Sequence, residues 1–509
     1  MIVLDKHNSA YGSIQTDDYG LLMDVWEHFT FYKPGYRYMK AFKERRWDGK
    51  IKLINISERL FPLGLATAIK KYFDGLKVKC TMTDELKDAF HDQISVEEMT
   101  EFFKRFKFYS KGSEIFPRVD QLYAVHRSLK YKRSVNICPT SFGKSLSIFM
   151  QALWHIAHGR KTIIVVPTVA LVQQFENDIK DYCTVDGKTL DYYPNIHKIY
   201  GGQDKNFMPD TNIVISTWQS IYDIGSKFIN KFDVIVLDEC HKGQGECIQK
   251  VFNNATEVEY RTGWTGTLSD TTLNLLTAEG LMGPIEEIVD TKTLMESGVV
   301  ADLNIVCTRI RYPVELSKKV LGLDYQNEIK FLEKYKPRTV LISKIAASMD
   351  QTGLMLYRHI SHGELLRDTI RKMCPDRNVY FIHGGHFQRN DTMYKSIEIL
   401  KPFMEADENG IVIANYQIFS TGLSIKNLRW LMFAAPSKSY VNVLQSIGRV
   451  LRVKEGKTKA VLIDIIDDLS VKKRVHTKMN YAMKHFQERF EIYTSKRFTY
   501  QMKTINLGE

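Results

Sequence analysis

The chain predicts an α/β fold of two tandem domains with parallel sheets, preceded by a small α+β domain. Three observations carry this. Short runs rich in Val and Ile recur at 134–138, 161–167, 212–217 and 232–238, separated by helix-like patterns. Parallel strands buried on both faces and joined by crossover helices have this pattern. The alternation pauses near 270–310 and restarts at 353–357, 379–382, 410–415, 428–434 and 460–465, which makes a second domain of the same kind. Before residue 113 short alternating segments mix with amphipathic ones. In one of these, 95–108, Val96, Met99, Phe102, Phe103 and Phe106 recur at helical spacing, and Ser95 with Glu98 has the form of a capping box. The expected domains are 1–112, 113–308 and 309–468, followed by a basic helical tail at 469–509.

Composition sets the outer limits. The 509 residues are 44% hydrophobic and 26% charged, which excludes a disordered chain, a collagen and a disulfide scaffold. No stretch approaches the roughly 20 apolar residues of a membrane span. The opening MIVLDKHNSAYGS lacks the basic flank and apolar core of a secretory signal. Seven cysteines with no CxxC pair suit a reducing compartment. The expectation is a cytoplasmic protein with no membrane partner. The net charge of +12 points to a polyanionic partner. Residues 471–509 hold nine basic side chains against three acidic, half of that excess, and include Lys472, Lys473 and Arg474. Residues 1–112 are nearly balanced, yet Lys43, Arg45, Arg46, Trp47, Lys50 and Lys52 crowd into one segment. Such a segment suits base stacking and phosphate contact, or equally a hairpin with solvated lysines and a core tryptophan.

The 134–138 run enters Pro139-Thr140-Ser141-Phe142-Gly143-Lys144-Ser145, and a helical pattern follows from Leu146 to Ala157. Strand, tight loop, Gly-Lys-Ser and helix form the setting of a nucleotide phosphate loop. Backbone N–H groups at the helix start face the phosphates, Lys144 reaches the β and γ phosphates, and the Ser145 hydroxyl serves Mg²⁺. Cys138 and Ser141 stand where glycines are usual. Alone, the loop also reads as a glycine turn with a solvated lysine. The 232–238 run ends in Asp238-Glu239-Cys240-His241, which delivers two carboxylates to the ligand edge of an α/β sheet. Asp238 suits a metal and Glu239 the activation of water, the pairing a P-loop ATPase requires.

Asp-Glu-Cys-His is a DExH box, and with the loop it resembles motifs I and II of superfamily 2 helicases. The remaining motifs follow in order. Arg118-Val-Asp-Gln121 resembles the glutamine motif that reads adenine. Pro167–Gln174, with Thr168, resembles motif Ia, and Ser216-Thr217-Trp218-Gln219-Ser220 resembles the backbone-contacting segment before the DExH strand. Thr265-Gly266-Thr267 resembles motif III. In the second domain 353–361 resembles motif IV, 415–425 with Thr421 resembles motif V, and Gln445 through Gly448, Arg449 and Arg452 resembles motif VI. The likeness spans about 114–465. Together with the separate N-terminal domain, it extends to the recombination helicases of T-even bacteriophages.

The resemblance implies two RecA-like domains and an ATP-dependent DNA helicase using ATP and Mg²⁺. Lys144, Asp238, Glu239, Gln445, Arg449 and Arg452 would be catalytic. Arg118, Gln121 and Pro139 through Ser145 would bind nucleotide, with Ser145 and Asp238 on the metal. Thr168, Ser216, Thr217 and Thr421 would hold nucleic acid. Arg45, Arg46, Lys472, Lys473 and Arg474 join that set through their charge, and Trp47 through stacking. The implied partners are branched DNA, Holliday junctions, forks, RNA–DNA hybrids and other recombination proteins. For a viral chain, the compartment is the host cytoplasm. An RNA helicase and a double-strand DNA translocase without strand separation stay open, because backbone contacts carry little base information.

Overall fold

Ile2, Leu4 and Ile14 alternate along two strands and form one face of a four-stranded sheet. This sheet comes from a computed structural model that describes residues 1–201, 205–243, 245–268, 271–416, 425–436, 439–452, 457–472 and 477–507. The chain divides into two units, 1–138 with 143–289, and 139–142 with 290–509.

In the first unit the small sheet runs Leu60–Pro62, Tyr11–Gln15, Ile2–Lys6, Cys80–Met82. Helices Tyr19–His28 and Ala66–Gly75 cover it with Leu22, Val25, Ile69 and Phe73. The helix Val96–Phe103 is capped by Ser95, whose hydroxyl accepts the Glu98 N–H at 3.0 Å. It stops short of 108 because Phe108 belongs to the strand Phe108–Ser110. This α+β part rests on the helix Thr272–Met282. A Cβ at Gly64 would lie 1.9 Å from the Glu279 carbonyl oxygen, so only glycine permits the approach.

The larger sheet of the same unit has seven strands, ordered Ile196–Ile199, Ile213–Thr217, Thr162–Val166, Val234–Asp238, Tyr260–Thr265, Arg133–Ile137 and Ile285–Glu287, all parallel. The four Val/Ile runs are all strands of this sheet. Tyr260–Thr265 has no apolar run, yet it lies near the centre and is wholly buried. Its Arg261 reaches the carbonyls of Phe252, Ala255 and Val258, so burial there rests on hydrogen bonds and not on apolar side chains.

The second unit carries a nine-stranded sheet. Seven strands are parallel, and the hairpin strands His386–Arg389 and Thr392–Tyr394 extend one edge in antiparallel fashion. Asp302–Arg311, inside the stretch where the sequence pattern pauses, is a ten-residue strand of this sheet. The expected helical tail is only partly helical. Tyr481–Ser495 is a helix, but Thr499–Asn506 pairs with Asp302–Arg311 as the outermost strand. Among the described residues no helix is long and apolar enough to cross a membrane.

Candidate functional site

Because the seven-stranded sheet is parallel, the ends of Arg133–Ile137, Val234–Asp238 and Tyr260–Thr265 lie at one edge, side by side. The phosphate-loop residues leave from the first of these. Cys138 N–H donates to the Thr265 carbonyl at 2.8 Å, and Phe142 N–H donates to Pro139 at 3.1 Å. Ser141 and Gly143 take φ of +73° and +88°. At Ser141 the left-handed conformation costs roughly 1–2 kcal/mol that glycine would not incur. At Gly143 a Cβ would lie 2.4 Å from the Gln121 amide nitrogen, so glycine is required. The Lys144 ammonium donates to the Cys138 carbonyl at 3.3 Å. The Ser145 hydroxyl lies within hydrogen-bonding reach of the Tyr182 phenol.

Gln121 is buried. Its amide oxygen accepts the Arg118 N–H at 3.0 Å, and its nitrogen donates to Gly143 at 3.4 Å. Arg118 pairs with Asp120 at 3.1 Å. Gln121 therefore links this pair to the loop at Gly143.

Asp238, which is buried, and Glu239, which is partly exposed, are adjacent carboxylates. Burial and the Glu239 charge push Asp238 up to about 7. Burial also opposes ionisation of Glu239, but His241 and Lys144 outweigh it and hold the carboxyl near 2. Asp238 Oδ1 is buried with no hydrogen-bond partner among the described residues. An orphaned carboxylate oxygen under the influence of the Lys144 charge fits a metal-bound triphosphate. Glu239 sits at φ +53°, a strained setting typical of functional turns. His241 Nδ1 lies 3.2 Å from Glu239 and 3.0 Å from the Thr265 hydroxyl, so the DExH turn touches motif III. Thr265 in turn donates to the Thr267 carbonyl at 2.7 Å.

The residues expected to hold nucleic acid fare unevenly. Thr168 is half-buried and caps the helix Val169–Tyr182. Thr217 caps Trp218–Ile224 and shares its hydroxyl with Ser220 at 2.9 Å. Ser216 is fully buried, and its hydroxyl donates to the Ile199 carbonyl at 2.8 Å, which joins two strands. Thr421 lies outside the described residues, as do Lys473 and Arg474. Lys472 ends a two-residue strand, Val471–Lys472.

In the second unit Gln445 and Arg449 stand four residues apart on the helix Tyr440–Val450, hence on one face, and Arg452 follows just past its end. Asn415, where motif V begins, donates to the Arg358 carbonyl at 2.7 Å and ties motif V to motif IV.

The segment around Arg45, Arg46 and Trp47 is the loop of an antiparallel hairpin, Thr30–Tyr32 with Lys50–Lys52. Arg45 and Arg46 are exposed, and Arg46 pairs with Glu44. The Trp47 indole is half-buried and donates to the Lys50 carbonyl at 3.0 Å. With Arg37, Phe42 and Lys43 they line an open concavity of about 900 Å³.

The sequence reading missed Gln151, which is buried on the helix Lys144–Ala157 and bonded to Thr262 and Trp264. The only signal was a lone glutamine in an otherwise apolar stretch.

Two family profiles match the chain, "DNA helicase UvsW, N-terminal" over residues 2–83 and "Type III restriction enzyme, res subunit" over 93–270. The chain is 33% identical to the ATP-dependent DNA helicase uvsW of Enterobacteria phage T4, over 95% of each protein. It is 30% identical to the DNA 3'-5' translocase XPB2 of Sulfurisphaera tokodaii, over 34% of this chain and 36% of that one. The crystal structure of T4 UvsW superposes with a TM-score of 0.52 at 30% identity, covering 99% of both chains.

Proposed function

The chain belongs to the family of the T4 UvsW ATP-dependent DNA helicase, and on that premise we propose how its residues divide the work. Bound Mg²⁺ would neutralise phosphate charge in the transition state. Lys144 holds the β and γ phosphates, and Ser145 and Asp238 hold the metal. Glu239, kept ionised beside His241, orients and deprotonates the attacking water. Pro139, Thr140, Ser141, Phe142 and Gly143 wrap the phosphates, while Gln121 and Arg118 back the loop on the adenine side. Gln445, Arg449 and Arg452 act on the γ-phosphate, as motif VI does in the helicases this chain resembles. Thr168, Thr217 and Thr421 serve the nucleic-acid backbone.

The observation that carries the ATP assignment is the convergence of Lys144, Asp238 and Glu239 at one sheet edge, with a carboxylate oxygen left unpaired. Lys144→Ala should abolish hydrolysis. Glu239→Gln should bind ATP without turnover, and wild-type turnover in that variant would refute its role. Arg452→Ala should lower kcat by about 10³-fold with nucleotide binding retained.

The proposed substrates are forks, Holliday junctions and RNA–DNA hybrids, in recombination, repair and replication control within a host cytoplasm alongside other recombination proteins. Support comes from the basic hairpin of the N-terminal domain, which offers a second grip on DNA outside the motor. ATP hydrolysis and strand displacement measured side by side on single-stranded DNA, duplex, fork, hybrid and RNA test it. Equal rates on fork and linear duplex would refute branch preference.

A further inference from the structure

The helix that begins at Lys144 is bolted to the strand that ends at motif III. Gln151 lies seven residues beyond Lys144, two turns or about 10 Å along the helix. It is fully buried, and both ends of its amide are used. Its nitrogen donates to the Thr262 hydroxyl at 2.7 Å, and its oxygen accepts the Trp264 indole N–H at 3.3 Å. Thr262 and Trp264 are two apart on Tyr260–Thr265 and so share the face turned to this helix. The opposite face is equally occupied. A Cβ on Gly263 would lie 2.6 Å from Met282 Sδ and 3.1 Å from Cys240 Sγ. At its end the strand presents Thr265 to His241 of the DExH turn.

Apolar packing alone lets a helix slide over a sheet at little cost, whereas paired buried hydrogen bonds fix a register, because a slip leaves donors and acceptors unmet. We propose that Gln151 is a positioning residue that fixes the motif III strand to the phosphate-loop helix, so that changes at the phosphates are passed to motif III and on to strand separation. This rests on the helicase reading above, and nucleotide itself never touches Gln151.

Three variants test it, all in the full chain. Gln151→Met keeps the volume and strands two polar partners. Trp264→Phe removes the indole donor, leaves the Gln151–Thr262 bond in place and loses some buried volume. Gln151→Glu, buried and protonated, retains both bonds. DNA-stimulated ATP turnover and base pairs separated per ATP are measured together, with thermal melting as the check on folding. In Gln151→Met, pairs separated per ATP should fall about tenfold, while turnover changes less than about threefold, the scale of losing one buried hydrogen bond. Trp264→Phe should show the same split to a smaller degree, and Gln151→Glu should restore the ratio. An unchanged ratio in a folded Gln151→Met, or turnover and separation falling in parallel, overturns the proposal. If Gln151→Met does not fold, Trp264→Phe decides by the same criteria. If the wild type hydrolyses ATP on DNA but separates no strands, the helicase reading fails separately, and the Gln151 ratio is taken instead from streptavidin displaced per ATP on duplex.

Discussion

Both ends of the chain concentrate basic side chains, yet the two ends are built differently. In the N-terminal hairpin the cations stand on the surface around an open concavity, and their ion pairs are exposed, such as Lys52 with Asp48 at 3.0 Å. In the tail Arg489 is buried, bonded through Nε and Nη2 to Asp464 at 2.9 and 2.8 Å, and Tyr493 completes that carboxylate at 2.9 Å. Arg497 pairs with Asp290 at 2.5 Å, and the Lys484 ammonium lies over the Tyr481 ring. Arg489 and Arg497 therefore help to hold the second unit together. Equal residue types carry different meanings because a guanidinium inside a protein must be paired, whereas one in water is free to find phosphate.

The contrast is broken most sharply by stability. Arg489→Met should cost about 3–5 kcal/mol by leaving Asp464 buried and unpaired, while Arg46→Met should stay within about 0.5 kcal/mol. Denaturant unfolding of both variants decides it, and an unchanged midpoint for Arg489→Met would return the tail to the role of a solvated strap. The second effect is on binding. Changing Arg45, Arg46 and Lys50 to Ala should lower the log–log salt slope of duplex binding by nearly 3, about 0.9 per lost phosphate contact, and should reduce the fork-to-linear ratio. Lys478→Ala with Lys484→Ala should shift the slope less and leave the ratio alone. Fluorescence anisotropy between 50 and 200 mM salt, roughly the range where such slopes show, measures both.

The smallest effect concerns Asp48. The backbone N–H of Lys50 and the Lys52 ammonium hold its carboxyl below the usual carboxylate range. Its folded value is depressed, so its pairing is complete above the unfolded carboxylate value and fades only as pH falls through the lower folded value. Asp48→Asn should therefore strengthen duplex binding a few-fold, and by the same factor at every pH from about 5 to 8. A gain that grew with pH across that range would show that Asp48 titrates there.

Much of the motor was legible without coordinates. Gly143, Lys144 and Ser145 are contiguous in sequence, as are Asp238 and Glu239, because each set sits on one short turn at the end of a strand. The apolar strands could be read for a similar reason, since a strand buried on both faces needs an unbroken Val/Ile run. Ser216 could not be placed, because a serine at a strand end looks the same whether its hydroxyl meets a phosphate or the carbonyl of Ile199. Tyr260–Thr265 was hidden because its burial is satisfied by hydrogen bonds from Arg261 and Thr262, which no hydrophobic pattern marks.

The sequence alone determined the order of motifs, the two α/β domains and the chemistry available at the sheet edge, all set by neighbours along the chain. Tertiary structure alone decided which polar groups are spent inside. Gln151 meets partners 111 and 113 residues away, Arg489 meets Asp464 across 25, and Thr499–Asn506 becomes a strand only beside Asp302–Arg311. Backbone preference and periodicity are local properties, but the partner of a buried donor is fixed by packing between distant segments, and that partner decides whether the side chain holds the fold or meets a ligand.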